Sequence, residues 1–567
     1  MRNKMYLALA LAATGMTLTS CSKMGALSSD NFSVTPNPLE TVGDQVPATI
    51  NGRFPEKYMK KKAVVTVTPI LKYSAGEATS TSATFQGEKV EGNDQTISYR
   101  IGGNYNMKAN YQYVPEMQKS ELYLHFDAKK GNKTYNIPDV KVADGVLATS
   151  ALVNQTMKSA NPAFAPDAFQ HVIKQKEEAN INFLIQQSKI RNSELKSVSI
   201  QNFVKTLKEI QADQDRKALD NIEVSAYASP DGGMKLNTGL AKNREKAAAG
   251  YVSQTMKKTG IEGSLNTKYT AEDWEGFQKL VAASNIQDKE VILRVLNMYQ
   301  DPEERETQIR NISAAFTTLA NEILPQLRRA RIAVNYDLIG RSDDEIKAQY
   351  KTDASQLSVE ELLYSATLTD KTSEQAEIYK KTTQLYPKDY RAYNDLAVLA
   401  IKQGKYDEAK NYTEQALKVN NNASEANVNA GLLALLDNDK AAAQNYLAKG
   451  SSNEAANEIL GNLYLKEGKY AQAVKAFGDT KSNSAGLAQL LTKDYMTAAS
   501  TLSSVKNADG MTYYLKAIIA ARTNNNYLAV DNLRSAIKED SSLAKYAAND
   551  LEFKSLASDA TFRALTK

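Results

Sequence analysis

The sequence has one cysteine, two histidines and one tryptophan in 567 residues. A single cysteine excludes an internal disulfide framework. So few Cys and His leave no material for structural zinc, haem ligation or Cys–His catalysis. No run of 18 apolar residues follows the N-terminal segment, so no membrane-spanning helix is expected. Charge of one sign is also missing: Lys+Arg is 70 and Asp+Glu is 65, a net of +5 spread over the whole length, which is no nucleic-acid footprint. What is present is 42% hydrophobic and 24% charged residues, enough for several cores and a prior of three or four domains at roughly 150 residues each. The expectation is binding or architecture without metal, cofactor or enzymatic activity.

The chain opens MRNKMYLALALAATGMTLTSCSKM. Arg2 and Lys4 form a basic start, and Met5 to Met16 is an apolar stretch too short to span a ~30 Å hydrocarbon core, as in a secretory signal. Leu18-Thr19-Ser20-Cys21 resembles the bacterial lipobox, in which the cysteine is acylated and becomes the new N-terminus. The only cysteine of the chain falls at this spot. The resemblance implies a lipid anchor at Cys21, and residues 1–20 as the signal. Removing them lowers the net charge by two and leaves no basic cluster beside Cys21. No acidic run of the kind that marks surface-exported lipoproteins of Bacteroidetes follows Cys21. The expectation is an outer-membrane anchor facing the periplasm.

Residues 21–40 are rich in Ser, Asn and Pro and read as a tether. From 41 to 160 the pattern has period two. In Lys62–Tyr73 β-branched residues alternate, and in Glu121–Phe126 the residues Leu122, Leu124 and Phe126 share one face. Gly-containing turns separate these runs, which predicts an all-β sandwich acting as spacer or binding module. From 175 to 345 strand and helix patterns alternate: strands at 180–187, 221–228, 265–269 and 331–337, helices at 193–211 and 236–257, and a helical insertion over 274–325. This order predicts an α+β domain. From 355 to 567 the residues are nearly all helix formers broken by Gly/Asn turns.

The last region repeats. Ala409-Lys-Asn-Tyr412 aligns with Ala443-Gln-Asn-Tyr446 at an offset of 34. Tyr406, Tyr470, Tyr495 and Tyr527 each follow a turn, with Ala409, Ala473, Ala498 and Val530 three residues later. A period near 34 with helix–turn–helix units resembles tetratricopeptide repeats. Leu460, Gly461, Tyr464, Gly468, Tyr470, Ala473 and Phe477 fall where such repeats place packing residues. The expectation is about five units and a closing helix pair. On the concave face, Arg391, Asn394, Lys402, Glu458, Asn462 and Lys466 are the groove candidates. They build no basic carboxylate clamp, and an extended peptide or protein surface from an unidentified envelope protein is the partner such folds imply.

The stretch Asn221–Val252 (NIEVSAYASPDGGMKLNTGLAKNREKAAAGYV) contains Asn237, Leu240 and Arg244 in N-x-x-L-x-x-x-R spacing, and Arg328-Arg329-Ala330-Arg331-Ile332 precedes the last strand. These features resemble the OmpA C-terminal family, the peptidoglycan-associated α+β domain, in the form found in Bacteroidetes lipoproteins. The resemblance implies a carboxylate site on a diaminopimelate-type wall peptide. Backbone N–H groups point out of the helix start, Arg244 offers a planar fork, and an acid takes the amine. The family's aspartate falls here on Ser229, with an acid two positions later at Asp231. Either Asp231 serves through a reshaped Ser-Pro-Asp-Gly turn, or the site is degenerate.

Other candidates have plainer readings. His125 and His171 read as structural. Gly232-Gly233 forms no nucleotide-binding motif. Lys60–Lys62 reads as a solvated strand edge. Trp274 follows Asp273 in helix-capping position and reads as a packing residue of the insertion. The whole reads as an anchored scaffold that grips the wall through the OmpA-like domain and partners through the repeats. The alternative is an assembly factor for a secretion or appendage system that binds no glycan.

Overall fold

The computed structural model describes residues 24–286, 288–311 and 317–567. Cys21 and the signal segment lie outside them. The chain divides into two compact units: residues 1–166 with 370–567, and residues 167–369.

In the first unit, the alternating runs form two sheets. Phe32–Thr35, Gln45–Phe54 and Gly103–Gln112 make one. Lys133–Asp144, Ser120–Lys130, Val64–Tyr73, Ala83–Gly87 and Gln95–Ile97 run in that order across the other, with Gly76–Thr79 beside Val64–Tyr73. Val46, Ile50 and Phe54 face Val65, Val67 and Leu71, and the predicted Leu122, Leu124 and Phe126 lie in the same core. Period two puts every second side chain inward. His125 is on the outer face, its Nδ1 2.8 Å from Asp139 Oδ1.

Two boundaries differ from the sequence reading. The segment 21–40 is not wholly a tether. Val34 and Leu39 are buried, Phe32–Thr35 pairs with Thr49–Gly52, and Leu39–Glu40 pairs with Val146–Leu147. Its prolines sit in the turn between these strands, where a missing N–H costs no ladder bond. The sandwich also ends at Leu147 and not at 160.

The solenoid holds five helix pairs: Arg391–Lys402/Tyr406–Val419, Ser424–Leu436/Lys440–Gly450, Ala456–Lys466/Tyr470–Phe477, Asn483–Leu491/Tyr495–Ser503 and Gly510–Arg522/Asn526–Glu539. The inner, first helix of each pair ends on a left-handed residue: Gly404, Asn438, Gly468, Lys493 and Asn524. That shared C-terminal turn sets the hairpin angle. Five residues further on, Ala409, Ala443, Ala473, Ala498 and Ala529 are fully buried. A Cβ on Gly461 would stand 2.7 Å from the Phe477 ring, so the third pair crosses only over glycine. The last repeat corrects the sequence alignment by one residue. Ala529 takes the buried position assigned to Val530, and Tyr527 is 85% exposed.

In the second unit, the strands Val172–Asn182, Arg329–Ile339, Lys217–Tyr227 and Ser264–Thr270 form one sheet in that order. The first two pairings are antiparallel and the last is parallel. Helices Val198–Ala212 and Met234–Thr259 share a core with the sheet through Phe203, Leu207, Ala248 and Val252 against Ile181, Ile222, Val224 and Ile332. The insertion has a core of its own around Phe277, Val281, Leu296, Leu319 and Leu327. Asp273 caps its first helix by accepting from Gly276 N, and Trp274 packs edge-on against Phe277, as read from the sequence. Helices Asp343–Asp353 and Val359–Thr367 belong to this unit, so the solenoid side starts at 370 and not at 355. Polar contacts tie them there: Arg216 pairs with Glu345, Arg341 with Glu361, and His171 Nε2 lies 3.2 Å from the Tyr364 hydroxyl.

Candidate functional site

The loop between strand Lys217–Tyr227 and helix Met234–Thr259 carries the predicted wall-peptide residues. Asn237 is buried and donates from Nδ2 to Gly232 O, which closes the loop onto the helix start. Ser229 donates to Asp231 and accepts from Arg328 Nε at 3.2 Å. Arg328 NH2 pairs with Asp231 Oδ2 at 2.9 Å. Ser229, Asp231 and Arg328 thus form one closed set of contacts at the strand end.

Arg244 sits elsewhere than expected. It is 1% exposed and donates to three main-chain carbonyls: Nε to Gln187 O at 2.9 Å, NH1 to Tyr227 O at 2.9 Å and NH2 to Leu184 O at 3.3 Å. The Phe183 ring covers its guanidinium. Burial, with the Arg328 charge adding to it, pulls the Arg244 pKa down to about 10. The expected open fork for a carboxylate is therefore a brace between the strand end and the 184–187 turn. The guanidinium that meets the acid is Arg328, noted in the sequence only as part of a closing segment. The Asp231 and Arg328 side chains keep 17% and 11% exposure.

The concave face of the solenoid is filled by the chain's own residues 149–166, running from the last repeat to the first. Thr149 meets Glu552, which also pairs with Arg522. The Thr156 hydroxyl accepts from Ser484 Oγ at 2.8 Å, and Ser159 donates to Asp509. Asn161 N and Nδ2 donate to Glu458 Oε2. Ala163 N donates to Asn429 Oδ1 at 2.8 Å, and Asn394 and Asn429 both donate back to Ala163 O at 2.9 Å. Ala165 N donates to Asp395 Oδ1 at 2.8 Å. Arg391 reaches Pro166 O, and Lys402 Nζ lies over the Phe164 ring.

Every predicted groove residue is accounted for. Arg391, Asn394, Lys402 and Glu458 touch this segment. Asn462 donates to Glu458 O. Lys466 is buried, donates to Leu435 O and has its pKa pulled down to about 8 by burial, with Lys440 adding to the effect. In this structure the face that such repeats offer to a partner is occupied by the chain's own segment. The sequence reading missed Asp395 and Asn429, whose signal was present as polar residues inside apolar inner helices. It also gave no role to the Asn-Pro-Ala-Phe-Ala-Pro run after residue 160.

Among the described residues, no cluster of three or more His, Cys, Asp or Glu could hold a metal, and no helix is long and apolar enough to cross a membrane.

The chain carries tetratricopeptide repeats: residues 390–423 match the tetratricopeptide repeat family. No curated protein matches it. Solved structures similar to it include a tetratricopeptide repeat protein from Parabacteroides merdae at 15% identity, covering 40% of this chain and 89% of that one, TM-score 0.29. YrrB, described as a TPR protein with an unusual peptide-binding site, has 19% identity, covering 29% and 94%, TM-score 0.21. PilW, a type IV pilus biogenesis factor, has 15% identity, covering 36% and 97%, TM-score 0.27.

Proposed function

We propose that the chain is a non-catalytic scaffold of a Gram-negative envelope. In this reading it is held to the outer membrane by lipid on Cys21 and faces the periplasm. It carries an OmpA-like α+β module and joins protein partners through its tetratricopeptide unit. The observation that carries this reading is the Asn394, Asp395, Asn429 and Glu458 set gripping an extended main chain. A solenoid with such a set is a peptide-holding surface by construction. The sheet order of the second unit and its helix-start Asn237 and Arg244 support the OmpA-like assignment.

For that module the geometry favours an architectural role, because the Arg244 guanidinium is buried on three carbonyls. A second reading keeps peptidoglycan as ligand, received at Asp231 and Arg328, where a carboxylate and an ammonium of one amino acid would each find an opposite charge. Pelleting of the 24–567 protein with insoluble peptidoglycan separates the two. The architectural reading expects the protein in the supernatant. Pelleting that is lost in Asp231→Ala and Arg328→Ala would establish the second. Cys21→Ser is expected to abolish incorporation of labelled palmitate, and unchanged labelling would remove the anchor from the reading.

A further inference from the structure

Residues 149–166 are held to the concave face in two different ways. From Thr149 to Met157 the hold is mainly apolar: Leu152, Val153 and Met157 lie in one core with the inner helices, and the Thr149 and Thr156 hydroxyls add polar contacts to Glu552 and Ser484. From Ala160 to Pro166 the hold is chiefly through the main chain, whose N–H and C=O groups meet Asn394, Asp395, Asn429 and Glu458, and only the small side chains of Ala160 and Ala163 join the core. The side chains turned inward there are Ala160, Pro162, Ala163 and Ala165, and Asn161, Phe164 and Pro166 are exposed. A core cannot exchange its members without opening, whereas main chain gripped by side-chain amides can be replaced by any other main chain of the right size.

We propose that the concave face of the first three repeats is an exchange site. Ala160–Pro166 is its in-cis occupant, and an extended, uncharged segment of a partner protein, with small residues at the inward positions, takes its place. This deepens the scaffold reading and rests on it.

Three features define the ligand. The gripping groups are buried, and emptying the groove would orphan them at about 1–3 kcal/mol each. The site therefore trades one main chain for another and does not stand open. Asn462 Oδ1, buried one helical turn from Glu458, has no hydrogen-bond partner. It is an acceptor that the in-cis segment leaves unused. Asp395 and Glu458 face the ligand backbone and reject an acidic segment, and Lys466 is turned away to Leu435 O. A C-terminal carboxylate is thereby excluded as the recognised group.

The test uses a fluorescein-labelled peptide of residues 159–167 (Ser-Ala-Asn-Pro-Ala-Phe-Ala-Pro-Asp), titrated by anisotropy against the 24–567 protein. The comparison is a variant with Ala163→Asp and Ala165→Asp, which ejects the in-cis segment and leaves every groove residue in place. The variant is expected to bind at least about tenfold more tightly than wild type, since the wild-type site is competent only while its own segment is out. Adding Asn429→Ala should remove that binding. No binding to the variant with helical circular dichroism intact, or equal binding to both proteins, overturns the proposal.

Hydrogen exchange on the wild type tests the same point without a variant. The Ala163 and Ala165 amides should exchange at least about a hundredfold faster than amides of the inner helix Ser424–Leu436. Equal protection means the segment leaves only on unfolding, and overturns the proposal. Concentration-dependent dimers joined through residues 160–166 would assign the site to a second copy and overturn it equally. None of these outcomes bears on pelleting with peptidoglycan or on lipid labelling, so the scaffold reading stands or falls separately.

Discussion

Asn394 and Asn429 sit at neighbouring positions of the first two repeats and donate to one oxygen, Ala163 O, each at 2.9 Å. Asn429 also donates to Asn394 Oδ1. Two buried amides thus lock each other and a single peptide unit of the 149–166 segment. Replacing Asn429 with Ala leaves Ala163 N without its acceptor and Asn394 Oδ1 without its donor. The expected cost is about 1–3 kcal/mol, read as a lower urea midpoint of the first unit's transition. An unchanged midpoint would mean the amides are incidental to the segment's hold.

The same face carries a pH dependence. Burial pushes the Asp395 carboxyl up to about 7, against hydrogen bonds from Ala165 N and Asn394 that lower it. Asp550, buried beside the Tyr514 hydroxyl, is pushed up to about 6. A folded-state pKa above the unfolded one means the folded protein holds the extra proton. This stabilisation is complete below about pH 4 and is lost as pH rises through about 7 for Asp395. In Asp395→Asn the side chain still accepts from Ala165 N and no longer titrates. The stability difference between wild type and variant should therefore move against wild type between pH 4 and pH 7, by at most about 1.4 kcal/mol per pH unit. Urea midpoints of both proteins across that range measure it, and parallel curves would contradict it.

Arg244 and Arg328 should separate by their effects. Arg244→Ala removes the donor to the carbonyls of Gln187, Tyr227 and Leu184, of which Leu184 O keeps Gln187 N, and a loss of at least about 3 kcal/mol from the second unit is expected. Arg328→Ala removes a largely buried ion pair with Asp231 and a hydrogen bond to Ser229 but leaves Asp231 its Ser229 donor, and a smaller loss of about 1–3 kcal/mol is expected. Thermal unfolding followed by circular dichroism ranks the two. A larger loss for Arg328→Ala would contradict the brace role of Arg244.

The repeats were legible because their geometry is local. A left-handed turn residue and a small residue five positions later recur in every unit, and each leaves a mark in sequence. The sandwich strands were legible through their period-two burial, and the helix start at Asn237 through its spacing. What was not legible depends on contacts far apart in the chain. Nothing local tells that Ala163 will meet residues 394 and 429. A run of Ala and Pro reads as linker whether it hangs free or lies in a groove. Arg244 was placed on the right helix, but its partners are carbonyls, which carry no sequence signal. Asp231 was visible in the Ser-Pro-Asp-Gly turn, but its pairing with Arg328 required the final strand to be brought alongside.

Gly461 offers a check on the repeat packing. Gly461→Ala places a methyl 2.7 Å from Phe477 ring atoms, and overpacking of about 1–3 kcal/mol is expected. The double variant with Phe477→Leu should recover part of that loss, measured by urea unfolding. No recovery would place the strain elsewhere in the third repeat.

The central claim is that the chain's own segment fills the concave face. The most direct test is a cysteine pair at Thr156→Cys and Ser484→Cys, whose hydroxyls now lie 2.8 Å apart, in the 24–567 protein, which has no other cysteine. The account predicts that mild oxidation gives a monomeric, internally cross-linked chain whose fragments stay joined after proteolytic cleavage between residues 166 and 370 until reductant is added. Free thiols after oxidation, or cross-links only between chains, would contradict it.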